Sequence, residues 1–249
     1  SHASDHGMTY ALRWVMSLLF VIQVYFAMLV LGIVFFPWAL FSPRGALVAC
    51  KTYARWALCS VRIMCGIRCE VRGAVPRGEV LVAAKHQSFL DVMIIFLALP
   101  WAKFIMKYEL LYTPIIGLYA YRLGCVPVKR GRRTEAIRKM LTDVKSGQAN
   151  PGQLCIYPQG TRIAPRVKAP YKVGTYALYK EFSQDCTPVA TNAGAFWPRK
   201  GIMRYPGTAV VEFLDPIPAG KGQDVFMAEL EDVIETQSEA LLDEGGYPK

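Results

Sequence analysis

The sequence predicts an α/β protein with a mixed central sheet flanked by helices, preceded by an N-terminal two-helix membrane-anchoring motif. Three observations support this prediction. Short apolar runs alternate with helical periodicity from residue 79 to residue 242, a long uncharged apolar segment precedes them, and a basic amphipathic segment joins the two parts. The chain of 249 residues is long enough for one substantial core and an appendage.

The N-terminal segment is apolar enough to enter a lipid bilayer. Residues 1–7 precede Met8 and are typical of an expression remnant, so they are excluded from the fold. Residues 15–41 contain no charged side chain. The part before Pro37 predicts a helix about 33 Å long, enough to cross a hydrocarbon core. Its length does not distinguish a crossing helix from a hairpin within one leaflet, and a buried core helix is the alternative interpretation.

A second helix is predicted to begin at Ser42 and Pro43, which favour an N-cap and a first helical turn. Its basic residues fall within about 40° of one another on a helical projection. They are Arg44, Lys51, Arg55 and Arg62. A narrow basic stripe on an apolar helix favours binding to anionic lipid. The alternative is a helix packed on the domain with a solvated charged stripe.

The remaining elements follow from apolar runs and helical periodicity. The predicted strands are residues 79–84, 104–106, 125–128, 153–157, 187–191 and 208–213. The predicted helices are residues 91–99, 134–145, 173–182 and 224–242. Because the two kinds of element alternate, we expect a mixed sheet with helices against it.

His86 is the candidate general base, because it is the one histidine after the first seven residues. It follows an apolar run, and Asp91 stands five residues later at the start of a predicted helix. A strand-to-helix turn can direct this carboxylate back to the imidazole, an arrangement that activates a hydroxyl group. The alternative is that Asp91 only caps the helix.

A second polar group follows the strand predicted at residues 153–157. Here Gly160 allows backbone N–H groups to approach an anion, Thr161 adds a hydroxyl, and Arg162 offers a planar fork for phosphate or carboxylate. A polar turn with a solvated arginine is the alternative.

Together these segments resemble the glycerophospholipid acyltransferases, in particular the bacterial 1-acylglycerol-3-phosphate acyltransferases. Four blocks carry the resemblance, in the family's order. They are KHQSFLD at residues 85–91, KYEL through GCVPVKR at residues 107–130, YPQGTR at residues 157–162 and TPVATNAG at residues 187–194. Two positions depart from the family pattern: Lys85 replaces the usual asparagine, and Gln159 replaces the usual glutamate.

The resemblance implies the roles of the site residues. His86 and Asp91 are the expected catalytic pair. The expected substrate-binding residues are Lys107, Arg130, Gln159, Gly160, Thr161 and Arg162. The implied donor is acyl-carrier protein or acyl-coenzyme A, and the implied acceptor is the sn-2 hydroxyl of lysophosphatidate. No cofactor and no metal are expected. Another lysolipid acceptor, such as a lyso-aminolipid, or a non-enzymatic membrane-binding module are the alternatives.

Charge and cysteine content indicate the partner and the cellular compartment of the protein. The net charge of +10 favours an anionic partner, and the apolar N-terminus favours lipid over nucleic acid. Eight basic residues against two acidic ones between positions 44 and 85 predict the cytoplasmic face of the cell's inner membrane. Seven cysteines, an odd count, fit a reducing compartment. We therefore expect residues 8–66 to be the anchor and residues 67–249 the catalytic domain.

Overall fold

The N-terminal region consists of three helices. The computed structural model describes residues 2–249, with the side chains of residues 9–143 and 146–249. Helix α1 spans His2–Val34, α2 spans Phe36–Phe41, and α3 spans Pro43–Cys65. Pro37 lies in the first turn of α2, so the chain ends one helix and begins another around it. Ser42 caps α3 by accepting the backbone N–H of Arg44 at 3.2 Å, as the sequence predicts.

Seven strands and five further helices follow. The strands are β1 (Ile67–Arg72), β2 (Val80–Ala84), β3 (Ala102–Lys107), β4 (Val126–Val128), β5 (Gln153–Ile156), β6 (Cys186–Thr191) and β7 (Gly207–Phe213). The helices are α4 (Phe89–Ala98), α5 (Ile116–Leu123), α6 (Arg133–Lys145), α7 (Gly174–Phe182) and α8 (Gln223–Glu244). Short 3-10 turns occupy Tyr108–Tyr112 and Ala193–Ala195.

The strands form one sheet in the order β1-β7-β6-β2-β5-β3-β4. Every neighbouring pair is parallel except β6 and β7, so the predicted mixed sheet is confirmed. Successive side chains of β2 alternate between two cores. Val82 and Ala84 pack with the side of α3 and α4, whereas Leu81 and Ala83 pack with α6, α7 and α8. Strand β2 is the fourth of seven and therefore lies at the centre of the sheet.

Three elements were missed by the sequence prediction: strand β1, helix α5 and helix α2, so the predicted two-helix motif contains three helices. Strand β1 pairs with β7 at one edge of the sheet, and helix α5 follows the 3-10 turn after β3. The apolar residues of β1 are interrupted by arginines and a glutamate, because an edge strand faces solvent. Helix α5 has only eight residues, too few for a clear helical period.

Helix α1 lies along the rest of the chain on one side and is exposed on the other. The segment Thr9–Val34 is long and apolar enough to cross a membrane; its most apolar 18-residue window has a mean hydropathy of 2.5 and is 22% buried. Its buried residues Phe20 and Val24 face the protein. The exposed ones include Leu19, Ile22, Phe26, Leu29 and Ile33.

One member of the predicted basic stripe is used inside the protein. The ammonium group of Lys51 donates to the carbonyl oxygens of Leu97 at 3.2 Å and Leu99 at 2.5 Å, at the end of α4. Burial, with the charge of Arg55, lowers the pKa of Lys51. The geometry makes Lys51 a cap for α4, a role that the sequence prediction did not include. Arg44, Arg55 and Arg62 are exposed.

We expect Lys51→Met to destabilise the fold more than Arg55→Met, because two carbonyl oxygens of the α4 terminus lose their donor. The free energy of unfolding should fall by about 1–2 kcal/mol in Lys51→Met. For a chain of this size that lowers the Tm by about 2–8 °C, measured by thermal unfolding in detergent. Arg55→Met, the control, should change stability by less than about 0.5 kcal/mol. Equal shifts for both variants would contradict the capping role.

Candidate active site

The candidate residues lie where the central parallel strands end. His86 follows β2, residues 157–162 follow β5, and Lys107 ends β3. Arg130 comes two residues after β4. Because β2, β5, β3 and β4 are neighbours and parallel, all four groups lie at the same edge of the sheet. In α/β folds such carboxyl ends are where ligands bind.

His86 and Asp91 form a direct pair. The Nδ1 atom of His86 lies 2.8 Å from Oδ1 of Asp91. The other carboxylate oxygen accepts the backbone N–H groups of Gln87 and Ser88, each at 2.7 Å. Asp91 is fully buried in the first turn of α4, and Ser88 completes a capping box with it. The Nδ1 contact leaves the Nε2 atom of His86 available to a substrate.

Tyr157 holds the imidazole from the neighbouring strand. Its ring stacks on that of His86, with ring centres 4.1 Å apart and an angle of 24° between the planes. The Tyr157 hydroxyl is buried and has no hydrogen-bond partner in the described part of the chain. Burial, reinforced by the charges of Asp91 and Cys155, raises the pKa of Tyr157 well above its usual value. The phenol is therefore neutral at physiological pH and restricts the orientation of the imidazole by packing.

The loop after β5 has a conformation that requires glycine. Gly160 has a φ of 74°, and a Cβ atom there would lie 2.6 Å from Nζ of Lys172. Gln159 is buried; its amide nitrogen donates to the carbonyl oxygen of Ala169 at 3.0 Å. Its Oε1 atom is buried with no partner among the described residues. This side chain thus anchors the loop with one atom and offers an unused acceptor with the other.

Hydrogen bonds from backbone N–H groups join the loops of the first, third and fourth blocks. The N–H of Ile163 donates to the carbonyl oxygen of His86 at 2.9 Å. The side-chain oxygen of Gln87 accepts the N–H of Gly194 at 3.0 Å. A Cβ at Gly194 would approach Cβ of Gln87 to 2.7 Å, so this contact requires glycine. Three of the four sequence blocks therefore form one connected structure around His86.

The predicted cationic residues lie at increasing distances from His86 in the order Arg162, Lys107, Arg130. Adjacent strands are about 4.8 Å apart, so Arg130, three strands away, starts about 14 Å from the end of β2. Lys107 is two strands away, and Arg162 belongs to the neighbouring strand's loop. Within residues 9–143 and 146–249, no ion pair engages Lys107, Arg130 or Arg162. The geometry therefore makes Arg162 the nearest candidate for an anionic group close to His86.

Lys85 has a structural partner that the sequence did not reveal. It continues the side of β2 that faces α8, and its ammonium group lies 2.7 Å from Oε1 of Glu235. The same oxygen accepts the hydroxyl of Tyr171 at 2.8 Å. Lys85 is only 3% exposed, so it needs this counter-charge. The departure from asparagine at this position is thus matched by a carboxylate on the C-terminal helix.

Sequence reasoning missed three contributors to this site: Tyr157 as the ring packed on His86, Gln87 as the contact to Gly194, and the Lys85–Glu235 pair. A signal existed for the last one. A lysine directly after a buried strand requires a carboxylate nearby, and the acidic C-terminal helix is the richest source of carboxylates in the chain. The other two depend on loop conformation, which residue spacing does not specify.

A histidine paired with a buried carboxylate at the open edge of a sheet is typical of enzymes that activate a hydroxyl group. Comparison with known proteins agrees with this class. The family model described as "Acyltransferase" matches residues 66–192, just over half of the chain. The chain belongs to the acyltransferase family.

Individual relatives give more specific matches than the family model. The chain is 29% identical over 163 residues to the 1-acyl-sn-glycerol-3-phosphate acyltransferase of Pseudomonas aeruginosa, covering 65% of this chain and 63% of that protein. It is 28% identical over 180 residues to the human 1-acyl-sn-glycerol-3-phosphate acyltransferase alpha, covering 70% and 64%. The matched regions thus span less than two thirds of these relatives.

A solved structure shares the fold. The 1-acyl-sn-glycerophosphate (LPA) acyltransferase PlsC from Thermotoga maritima superimposes with a TM-score of 0.75 at 20% identity. The match covers 92% of this chain and 97% of the other.

We expect Glu235→Gln to destabilise the protein by about 2 kcal/mol, because the buried ammonium group of Lys85 loses its counter-charge. Unfolding in denaturant, followed by circular dichroism, measures this loss. Asp232→Asn is the matched control, since Asp232 is exposed on the same helix and should cost less than about 0.5 kcal/mol. If both variants unfold at the same denaturant concentration, the pair does not hold β2 to α8.

Proposed function

We propose that this protein transfers a fatty acyl group from a thioester, carried by acyl-carrier protein or coenzyme A, to the sn-2 hydroxyl of lysophosphatidate. The product is phosphatidate. The observation that carries the proposal is the 2.8 Å contact between His86 and the buried carboxylate of Asp91. The names of the relatives support the same acceptor.

The proposed mechanism uses His86 as a general base. Asp91 holds the imidazole with its proton on Nδ1, so the lone pair of Nε2 faces the acceptor. Nε2 takes the hydroxyl proton while the hydroxyl oxygen attacks the thioester carbonyl carbon. The C–O bond forms, the C–S bond breaks, and the imidazolium returns the proton to the departing thiolate. No covalent acyl-enzyme is required.

The acceptor phosphate is proposed to bind Arg162 and the backbone of Gly160 and Thr161. The sn-2 hydroxyl and the phosphate of lysophosphatidate lie on adjacent glycerol carbons, so a phosphate ligand must be close to His86. The loop of Arg162 is linked to His86 through Ile163. Lys107 and Arg130 are farther along the edge, where their long side chains complement the same charge.

Residues 8–66 are proposed to anchor the protein in one leaflet, and residues 67–249 to be the catalytic domain. Near the start of the uncharged part of α1, which begins at residue 15, Ser17 accepts the backbone N–H of Arg204 at 3.0 Å. Near the other end, the hydroxyl of Tyr119 donates to the carbonyl oxygen of Gly32 at 2.8 Å. Because contacts to the catalytic domain bracket the uncharged part of α1, this part cannot cross the bilayer unless that polar domain enters it. The exposed apolar side of α1 would then lie within the lipid.

The proposed location is the cytoplasmic face of the inner membrane. The exposed Arg44, Arg55 and Arg62 can meet the phosphates of anionic lipids. All seven cysteines are free, which supports a reducing compartment.

An alternative acceptor is favoured by one observation. Gln159 replaces the glutamate of the resembled family, and its orphaned Oε1 atom can accept a hydroxyl or an ammonium proton without a charge. A lyso-aminolipid is therefore the second candidate acceptor. Competition between lysophosphatidate and a lyso-aminolipid in one reaction distinguishes the two.

The test of the proposed reaction is thiol release from an acyl thioester in liposomes, with and without lysophosphatidate. We expect His86→Ala to lower the rate by at least about a hundredfold, because the hydroxyl loses its general base. Vesicle binding and the Tm of this variant serve as controls and should match those of the wild type. Near-normal release by His86→Ala would overturn the mechanism. Release that needs no acceptor would indicate a thioesterase instead.

Arg162→Ala should raise the KM for lysophosphatidate by about tenfold to a hundredfold, because charge-assisted hydrogen bonds to phosphate are lost. Arg132→Ala is the matched control: Arg132 is an exposed arginine at the same edge with no proposed ligand. The acceptor KM is measured at saturating thioester. An unchanged KM in Arg162→Ala, or equal changes in both variants, would remove Arg162 from the phosphate site.

A further inference from the structure

An exposed apolar surface on the catalytic domain has no role in the reaction described above. It is formed by Leu110, Tyr112, Ile116 and Tyr121, and we call it the α5 patch. These side chains are 41%, 74%, 48% and 66% exposed, respectively. They come from the 3-10 turn Tyr108–Tyr112 and from α5, the segment that connects β3 to β4. A cluster of large exposed apolar side chains usually marks an interaction surface.

The α5 patch is continuous with the apolar side of the N-terminal helices through two contacts. At the first, Ile115 packs closely on Gly32 of α1: a Cβ atom added at Gly32 would lie 3.0 Å from a methyl group of Ile115. Ile33 and Ile116, the next residues along each segment, are both exposed. At the second, the guanidinium of Arg122 donates to the carbonyl oxygen of Leu40. That contact brings α5 against the end of α2, where Phe41 is 82% exposed.

The backbone at the first contact is held in an unfavourable conformation. Ile115 has a φ of 68°, a region that β-branched residues rarely adopt. Such strain persists only where the surroundings fix it. Here the contact with Gly32 and the Tyr119 hydrogen bond to the same residue hold the segment against α1. The patch is thus held in a fixed position relative to α1.

The other end of the α5 patch meets the basic edge of the site. The ammonium group of Lys129 lies 4.4 Å from the ring centre of Tyr108. Lys107 and Arg130 are exposed beside it. Tyrosines next to cations are typical of the headgroup level of a bilayer, where a ring meets acyl chains and its hydroxyl meets water. A soluble protein partner would not explain why this surface continues the apolar side of α1 and α2.

We propose that the α5 patch is a third membrane-contacting element, through which the catalytic domain itself rests on the lipid surface. This inference rests on the proposed membrane association of α1 to α3. In this arrangement the bilayer covers Leu110, Tyr112, Ile116 and Tyr121, and the adjacent cations lie at the depth of the lipid phosphates. An acceptor lipid then reaches the carboxyl ends of β3 and β4 without leaving the bilayer.

A fluorophore attached to single cysteines tests lipid contact directly. The background is Cys59→Ser, because Cys59 is the exposed one of the seven cysteines. Labels are placed at Tyr112→Cys, at Phe26→Cys on α1 and at Lys180→Cys on α7, which packs in the core on the opposite side of the sheet. The full chain is bound to phosphatidylethanolamine–phosphatidylglycerol vesicles whose acyl chains carry nitroxide quenchers.

Quenching at position 112 should match that at position 26 within a factor of about two and exceed that at position 180 severalfold, because both lie in lipid. One outcome would overturn the α5 proposal alone: the label at position 26 is quenched, but the label at position 112 is quenched no more than the label at position 180. No quenching at position 26 would overturn the proposed anchor, and the α5 proposal with it.

A rate measurement distinguishes a loss of membrane contact from a loss of the reaction itself. Leu110→Glu combined with Tyr112→Glu should lower the rate on vesicle-borne lysophosphatidate by about tenfold, because charge at the acyl boundary is unfavourable. The rate on a short-chain, dispersed lysophosphatidate should stay unchanged. Equal losses on both acceptors would contradict the membrane role. If the wild type releases no thiol with either acceptor, the proposed reaction fails, while the quenching experiment still decides the α5 patch.

Discussion

The carboxylate of Asp91 is the group on which both the fold and the site depend. It is fully buried, and its two oxygens contact the imidazole of His86 and the N–H groups of Gln87 and Ser88. The same carboxylate lies in the first turn of α4, where a negative charge interacts favourably with the helix dipole. The turn between β2 and α4 is therefore fixed by the residue that orients the base. Since β2 is central, the loops of β5 and β6 reach this turn from either side.

The surroundings of this turn are held by contacts from distant parts of the chain. Tyr157 packs on the imidazole, Gln87 contacts Gly194, and Lys85 is paired with Glu235 on the last helix. Through Tyr171, the same glutamate also reaches the segment that carries Lys172 against Gly160. A single carboxylate of α8 thus connects the end of β2 with the loop proposed to bind phosphate. Both sides of the site are positioned by this partly buried polar network.

The sequence predicted the elements with strong periodicity and the polar groups next to them. Strands β2 to β7 and helices α4, α6, α7 and α8 were expected within a few residues of their observed bounds. The edge strand β1 and the short helix α5 were missed, because solvent exposure and brevity weaken their patterns. The capping role of Lys51 was missed because a helical projection shows which residues share a face but not what that face contacts. The pairing of Lys85 with Glu235 joins residues 150 positions apart, which no local pattern contains.

The packing of α1 also has a consequence for how the protein is made. Ser17 contacts Arg204, a separation of 187 residues along the chain. At a synthesis rate of about 5–20 residues per second, the helix leaves the ribosome roughly 10–40 s before that partner exists. Throughout this interval the apolar segment Thr9–Val34 lacks the catalytic domain and has only α2 and α3 to pack against. Lipid is the other apolar phase in the cell, so early attachment to the membrane protects the nascent chain from aggregation while the sheet is completed.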